Sequence, residues 1–215
     1  MSTFRTTIRT IMGLSLALGI SACAGVPDQS VSRAAIVDAP QRATTMAVDI
    51  QSVRVNVPRT LKVSEANSYY PGGDIVWRGD PIGDRYEQIG AIFEEAMMRG
   101  TQNMKSGVPA VLDIEVQRFH ALTEKARYSV GGVHDVTFSV TLRDPATGLA
   151  LTPTRSIEAD LKGYGGSQAM AAEQRGETQK VRITDHLAKV IQTELIEPGS
   201  FQPEQLGLMS MFNAK

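Results

Sequence analysis

Two stretches of the chain alternate strictly between apolar and polar residues. In "AVLDIEVQRF", residues 110–119, Leu112, Ile114 and Val116 face one way while Asp113, Glu115 and Gln117 face the other. In "VHDVTFSVTLRD", residues 133–144, Val136, Phe138, Val140 and Leu142 share a face. Period two is the side-chain period of a strand, and clean alternation marks a strand with one buried and one wet face. "DPATG", residues 144–148, follows as a hairpin turn with glycine at its end. A further strand is expected in "LALTPTRSIEADL", residues 149–161, weakened in its middle by Pro153. Upstream, "MAVDIQSVRVNVP", residues 46–58, places Met46, Val48 and Ile50 in one frame and Val53, Val55 and Val57 in the other. The frame changes once, near Gln51 and Ser52, which predicts a bulge or a strand edge. Residues 59–80 are rich in turn formers, with room for a short strand at "DIVW".

A sheet with one apolar face needs a cover. "DPIGDRYEQIGAIFEEAMMRGTQNM", residues 80–104, supplies one: Ile82, Tyr86, Ile89, Phe93, Met97 and Met104 recur at three, four or seven residues. That spacing is one face of a helix. Asp80 is placed to cap it, Pro81 suits its first position, and Gly107 and Pro109 stop it. A second helical pattern runs over residues 167–196, with Ile183, Leu187, Val190 and Glu194 on one line and Thr184, Ala188, Ile191 and Leu195 beside it. Gly176 is expected to kink it. The order strand–helix–strand–strand–strand–helix predicts a two-layer α+β sandwich, a mainly antiparallel sheet with both helices on one face. A single domain over residues 46–197 holds all of it, and residues 198–215 form a tail, polar until "LGLMSMF".

The chain has one cysteine, Cys23. Before it come Arg5 and Arg9, then the uncharged "IMGLSLALGI" of residues 11–20, then the small residues Ser21 and Ala22. The apolar run is shorter than the roughly 20 residues of a permanent span and fits a secretory signal peptide, residues 1–22. "ISAC" resembles a bacterial lipobox, which implies acylation at Cys23 and cleavage just before it. Two or more acyl chains give stable anchoring, at about 0.8 kcal/mol per buried CH₂, where one holds only marginally. Residues 23–45 then read as the lipidated cysteine and a flexible tether, with a reach of roughly 25 Å for about 20 residues. The expected address is the cell envelope, facing the periplasm, and the outer membrane rather than the inner, because Ala24 and not Asp follows the cysteine. An exported domain with no second cysteine forms no internal disulfide, so its core alone must hold it. A formal net charge of −1 with no basic stripe excludes a nucleic-acid partner.

Chemistry concentrates in "RFHALTEKARYSVGGVH", residues 118–134, which carries His120, Glu124, Lys125, Arg127, Tyr128 and His134. Alternation puts His120 in the frame of Leu112, Ile114 and Val116, and His134 in the frame of Val136 and Phe138, so both are expected at one end of the inward face. Two imidazoles with Glu124 between them have the donor types of a zinc site, the basis of a metal-dependent hydrolase. Against it, no H-x-x-x-H pair exists, and Lys125 and Arg127 would repel a divalent cation. Strand-end residues with local hydrogen bonds are the plainer reading, and a recognition patch of His120, Glu124, Lys125, Arg127, Tyr128 and His134 lies between the two. "GYGGSQA", residues 163–169, follows a meander strand and has no Walker lysine, so it reads as a tight corner with Ser167 as helix cap. His186, within an apolar-rich helix, reads as structural, and the aromatics of "SEANSYYP" and "IVWRGDP" as a partner surface or a cover for the sheet end. No G-x-S-x-G and no cofactor motif is present, so no catalytic, metal or cofactor residue is assigned.

The lipobox together with "VPRTLKVSEANSYYP", "DIVWRGDPIGDR", "RFHALTEKARYSVGGVHD" and "GETQKVRITDHLAKVI" resembles an uncharacterised family of alphaproteobacterial lipoproteins, a domain of unknown function, over roughly residues 45–197. That resemblance implies no activity. The element order also resembles, more loosely, the auxiliary lipoproteins of ABC-type envelope transporters. The expectation is a non-enzymatic adaptor or auxiliary subunit, membrane-bound through Cys23, with an envelope protein as partner. A small-ligand or lipid carrier is the other alternative to the hydrolase, and it requires a cavity of about 300 Å³ or more between sheet and helices.

Overall fold

A computed structural model describes residues 46–203. Cys23, the expected signal peptide and the expected tether lie outside the described residues, as do residues 204–215 of the expected tail. In chain order the elements are β1 (Val48–Asn56), β2 (Ile75–Val76), α1 (Arg85–Thr101), β3 (Val108–His120), α2 (Glu124–Arg127), β4 (Gly132–Arg143), β5 (Arg155–Glu158), β6 (Leu161–Gly163), α3 (Gly166–Gln174) and α4 (Gln179–Ile196). The result is the expected α+β sandwich, a mainly antiparallel sheet of six strands under helices.

The sheet runs β1-β3-β4-β5, with β2 also against β3 and β6 also against β4. β3, β4, β5 and β6 pair antiparallel, while β1 and β2 each lie parallel to β3. The parallel pairing follows from α1, whose length carries the chain back to the starting edge between β1 and β3. The frame change read at Gln51 is a β-bulge: the β1–β3 register slips between Ile50 and Ser52.

Leu112, Ile114, Val116, Phe138 and Val140 bury one sheet face against Ile89, Phe93 and Met97 of α1 and Ile183, Leu187, Val190 and Ile191 of α4. Phe93 sits at the centre, edge-on to Phe138 at 5.4 Å and to Phe119 at 6.2 Å between ring centroids. Such pairs add about 0.5–1.5 kcal/mol beyond the area they bury. The opposite face is polar: Arg143 pairs with Asp113 at 2.6 Å, and Ser156 donates to Gln117 at 2.9 Å.

Helix boundaries depart from expectation at both ends. α1 starts after Asp84, whose carboxylate accepts from the backbone of Tyr86 and Glu87. Asp80 instead binds Trp77 Nε1 at 2.8 Å and Lys180 Nζ at 3.0 Å, and Ile82 is 93 % exposed in the loop. The second helical pattern breaks rather than kinks: Gly176 sits at φ +81°, separating α3 from α4, and Thr178 caps α4 through Val181 N–H. Gly165, not Ser167, occupies the cap position of α3. Glu194 holds the chain after α4 by accepting from the backbone of Gly199 and Phe201, both at 3.0 Å, so the tail's first residues are packed on the domain. Among the described residues no helix is long and apolar enough to cross a membrane.

Candidate functional site

A second bulge decides the site. The β3–β4 register slips between Val116 and Arg118, so Phe119, and not His120, continues the inward frame. Phe119 is fully buried in the core opposite Val136. His120 pairs with Asp135 on the other face, and His134, one residue before Asp135, returns to the inward side. The two histidines therefore lie on opposite faces, which overturns the expectation that they share one.

Their surroundings differ accordingly. His120 lines a cleft of about 230 Å³ with Tyr69, Tyr70, Pro71, Leu122 and Val130. His134 lines a separate small recess with Arg127, Tyr164, Glu173 and Gln179. Glu124 turns away from both to pair with Arg78. The three donors of the metal-hydrolase reading do not converge, and among the described residues no group of three His, Cys, Asp or Glu side chains could hold a metal ion.

The cleft is assembled from two segments far apart in sequence. Thr123 caps the short α2 and gives its own hydroxyl proton to Ser68 O at 2.8 Å, while Asn67 Oδ1 accepts from Lys125 N–H at 2.9 Å. Lys125 Nζ lies 4.7 Å from the centroid of the Tyr69 ring. Below this seam Glu65 binds Arg85 at 2.7 Å and Arg78 at 3.5 Å, and Arg78 joins Glu124. Partial burial opposes the Glu124 carboxylate, but the hydrogen bond and charge of Arg78 outweigh it and hold its pKa below the ordinary value. The loop bearing Tyr69 and Tyr70 is thus fixed against the end of the sheet.

His120 Nε2 lies 2.8 Å from Pro71 O. A carbonyl only accepts, so Nε2 carries the proton and Nδ1 is the acceptor of a neutral ring. Burial, and the nearby Arg118 charge, push the His120 pKa down, which keeps the ring neutral at pH 7. His134 is wholly buried, and its Nδ1 accepts from Leu122 N–H at 3.3 Å. Burial pushes its pKa down to about 3, assisted by the charges of Arg182 and Arg127.

The far wall rests on glycines. Gly131, at φ +73°, crosses the loop before α3 so closely that a Cβ there would meet Gly163 O at 2.7 Å and Gly165 N at 2.8 Å. Gly165 is equally constrained, since its Cβ would sit 2.2 Å from Gly131 N. The "SVGG" and "GYGG" stretches are two halves of one crossing, and the crossing holds Val130 at the mouth of the cleft.

Of the expected patch, His120 lines the cleft and Lys125 lies over its Tyr69 wall, Glu124 is tied to Arg78, and Arg127, paired with Glu173, carries Tyr128 against it on the side of the other recess. His134 lies behind it. Sequence reasoning left out Pro71, Leu122 and Val130, and kept Tyr69 and Tyr70 in a separate surface.

A model of the family of unknown function DUF6778 matches residues 48–211. The chain belongs to DUF6778. That match takes in every element of the domain and both walls of the cleft. No curated protein matches this DUF6778 chain. Three solved structures are similar to it at low identity. One is a protein of Caulobacter crescentus CB15 described as a candidate lipoprotein, 17 % identical, covering 50 % of this chain and 80 % of that one, with a TM-score of 0.33. Another is protein XCC0632 from Xanthomonas campestris, of family DUF330, 12 % identical over 72 % of this chain and 89 % of that one, TM-score 0.42. The third is a PelC variant, a dodecamer, from Paraburkholderia phytofirmans, 16 % identical over 72 % and 96 %, TM-score 0.34.

Proposed function

We propose that this DUF6778 protein is a lipid-anchored, non-enzymatic adaptor of the cell envelope, tethered through Cys23, facing the periplasm and held at the outer membrane. The cleft end of the sheet is its partner surface. One observation carries the reading: Tyr70 and Val130, 70 % and 68 % exposed, both line the mouth of one cleft whose walls are held by ion pairs, caps and a glycine crossing. Large apolar side chains presented together on a fixed surface mark an interaction site. The hydrolase alternative lacks its converging donors. The carrier alternative calls for a cavity of about 300 Å³ or more between sheet and helices. This cleft is smaller and lies at the sheet's end, and the larger groove, about 390 Å³, is lined mainly by polar and charged residues of α1 and α4 such as Arg99, Asp185 and Lys189, with none from the sheet. The likeness to auxiliary lipoproteins of ABC-type transporters belongs to the same proposal, as the class of assembly such an adaptor serves.

The test is photocross-linking in intact cells, with the reactive group placed at position 70 and, as control, at exposed position 149 on the hairpin turn far along β4. A discrete protein adduct at 70 and none at 149 supports the adaptor. Adducts at neither position, or equally at both, reject it.

A further inference from the structure

The cleft has a chemistry more specific than an apolar patch. Its volume, about 230 Å³, is that of one large side chain and is too small for a folded element. Its walls are the rings of Tyr69 and Tyr70, the ring of Pro71, and the aliphatic groups of Leu122 and Val130. Aromatic and proline walls favour a flat aromatic occupant, which meets them edge to face or stacked.

One polar ring stands among these walls. His120 commits its Nε2 proton to Pro71 O, and Pro71 is itself buried, so the imidazole is held in one orientation and one tautomer. Among the described residues no group donates to His120 Nδ1. A half-buried acceptor without a donor costs free energy unless a ligand or solvent supplies the proton. The rim carries a positive charge: Lys125 lies over the Tyr69 ring and, among the described residues, pairs with no carboxylate. Such a rim disfavours a cationic occupant such as a lysine or arginine side chain.

We infer that the cleft receives a single aromatic side chain of the partner protein that ends in a hydrogen-bond donor, tyrosine or tryptophan, with its O–H or N–H given to His120 Nδ1. This deepens the adaptor reading and rests on it. It explains why a histidine occupies an otherwise apolar cleft, and why the ring is clamped: a donor-seeking acceptor discriminates best when it cannot turn away. Tyrosine and tryptophan are also the residues that most often anchor protein interfaces.

The experiment uses N-acetyl-tyrosinamide, N-acetyl-tryptophanamide and N-acetyl-phenylalaninamide as probes on the full chain, with binding followed by NMR at the His120 ring nitrogens. The expected result is that the tyrosine and tryptophan amides shift Nδ1 and bind about five- to tenfold more tightly than the phenylalanine amide, the value of one hydrogen bond. His120→Phe, which keeps ring and bulk but removes the acceptor, should erase that preference while leaving the phenylalanine amide's affinity within about twofold. Equal affinity for all three amides in the native chain overturns the inference. So does a preference that survives in His120→Phe. If the amides fail while the cross-link at position 70 persists, the adaptor stands and this inference alone falls. If they bind as expected while no cross-link forms, the adaptor reading is the part that fails.

Discussion

His134 and Asp160 are displaced in opposite senses, and each leaves a separate mark on stability. Folded His134 takes a proton only near pH 3, whereas the unfolded chain takes it near 6.5, so between these values the unfolded state binds more protons and stability falls as pH falls. Asp160 is pushed up to about 6 by burial and by the charge of Asp135, against 3.8 for the free group. Between 3.8 and 6 the folded state binds more protons there, so this residue's contribution falls as pH rises. Urea denaturation across pH 4–7.5 should show His134→Gln gaining on the native protein as pH drops below 6.5, and Asp160→Asn gaining as pH rises from 4 to 6. Parallel curves for either variant would contradict its assigned burial. At the core, Phe93→Ala removes a fully buried ring from between Phe119 and Phe138 and should cost about 3–5 kcal/mol in the same assay. The residue scale is also where sequence reading missed most. The bulge at Gln51 was legible, because valines resume on the other frame. The one at Gln117 had a single signal, Phe119, a large apolar residue in the wet frame, and following the alternation past it sent His120 to the wrong face.

Among the elements, the strands and the two long helices were legible because periodicity reports burial directly. Their ends were not, because a cap is chosen among nearby acidic residues by packing. Asp84 wins over Asp80 since Trp77 and Lys180 claim the Asp80 carboxylate. The short α2 and the loop crossing were not legible either: four residues carry no period, and a close approach of two glycine loops is a tertiary event. The crossing makes its own prediction. Gly131→Ala places a Cβ against backbone at positive φ, whereas Gly148→Ala meets positive φ with nothing within 4 Å. The φ penalty alone is about 1–2 kcal/mol. Thermal melting should show a small loss for Gly148→Ala and a larger one for Gly131→Ala, and only the latter should weaken binding of N-acetyl-tyrosinamide. Equal losses would mean that the crossing carries no load.

For the molecule as a whole, the fold class was readable from element order, while the site was half readable: its residues were singled out, but in two separate segments that only the folded chain joins. The anchoring proposal is tested at this scale. Cys23→Ser should abolish acyl chains on the mature N-terminus by mass spectrometry and release the protein from membranes on fractionation. A native chain without acyl groups would remove the anchor from the account.

The parallel pairing of β1 with β3 has a mechanical side. β1 begins at Val48 beside Val108, the first residue of β3, and the cleft lies past His120, the last. Over 13 residues these ends are separated by roughly 40 Å at about 3.3 Å per residue. Any tension between an upstream attachment and a partner seated in the cleft runs along the strands. It would load the β1–β3 hydrogen bonds in shear, all together, rather than peeling them apart one at a time.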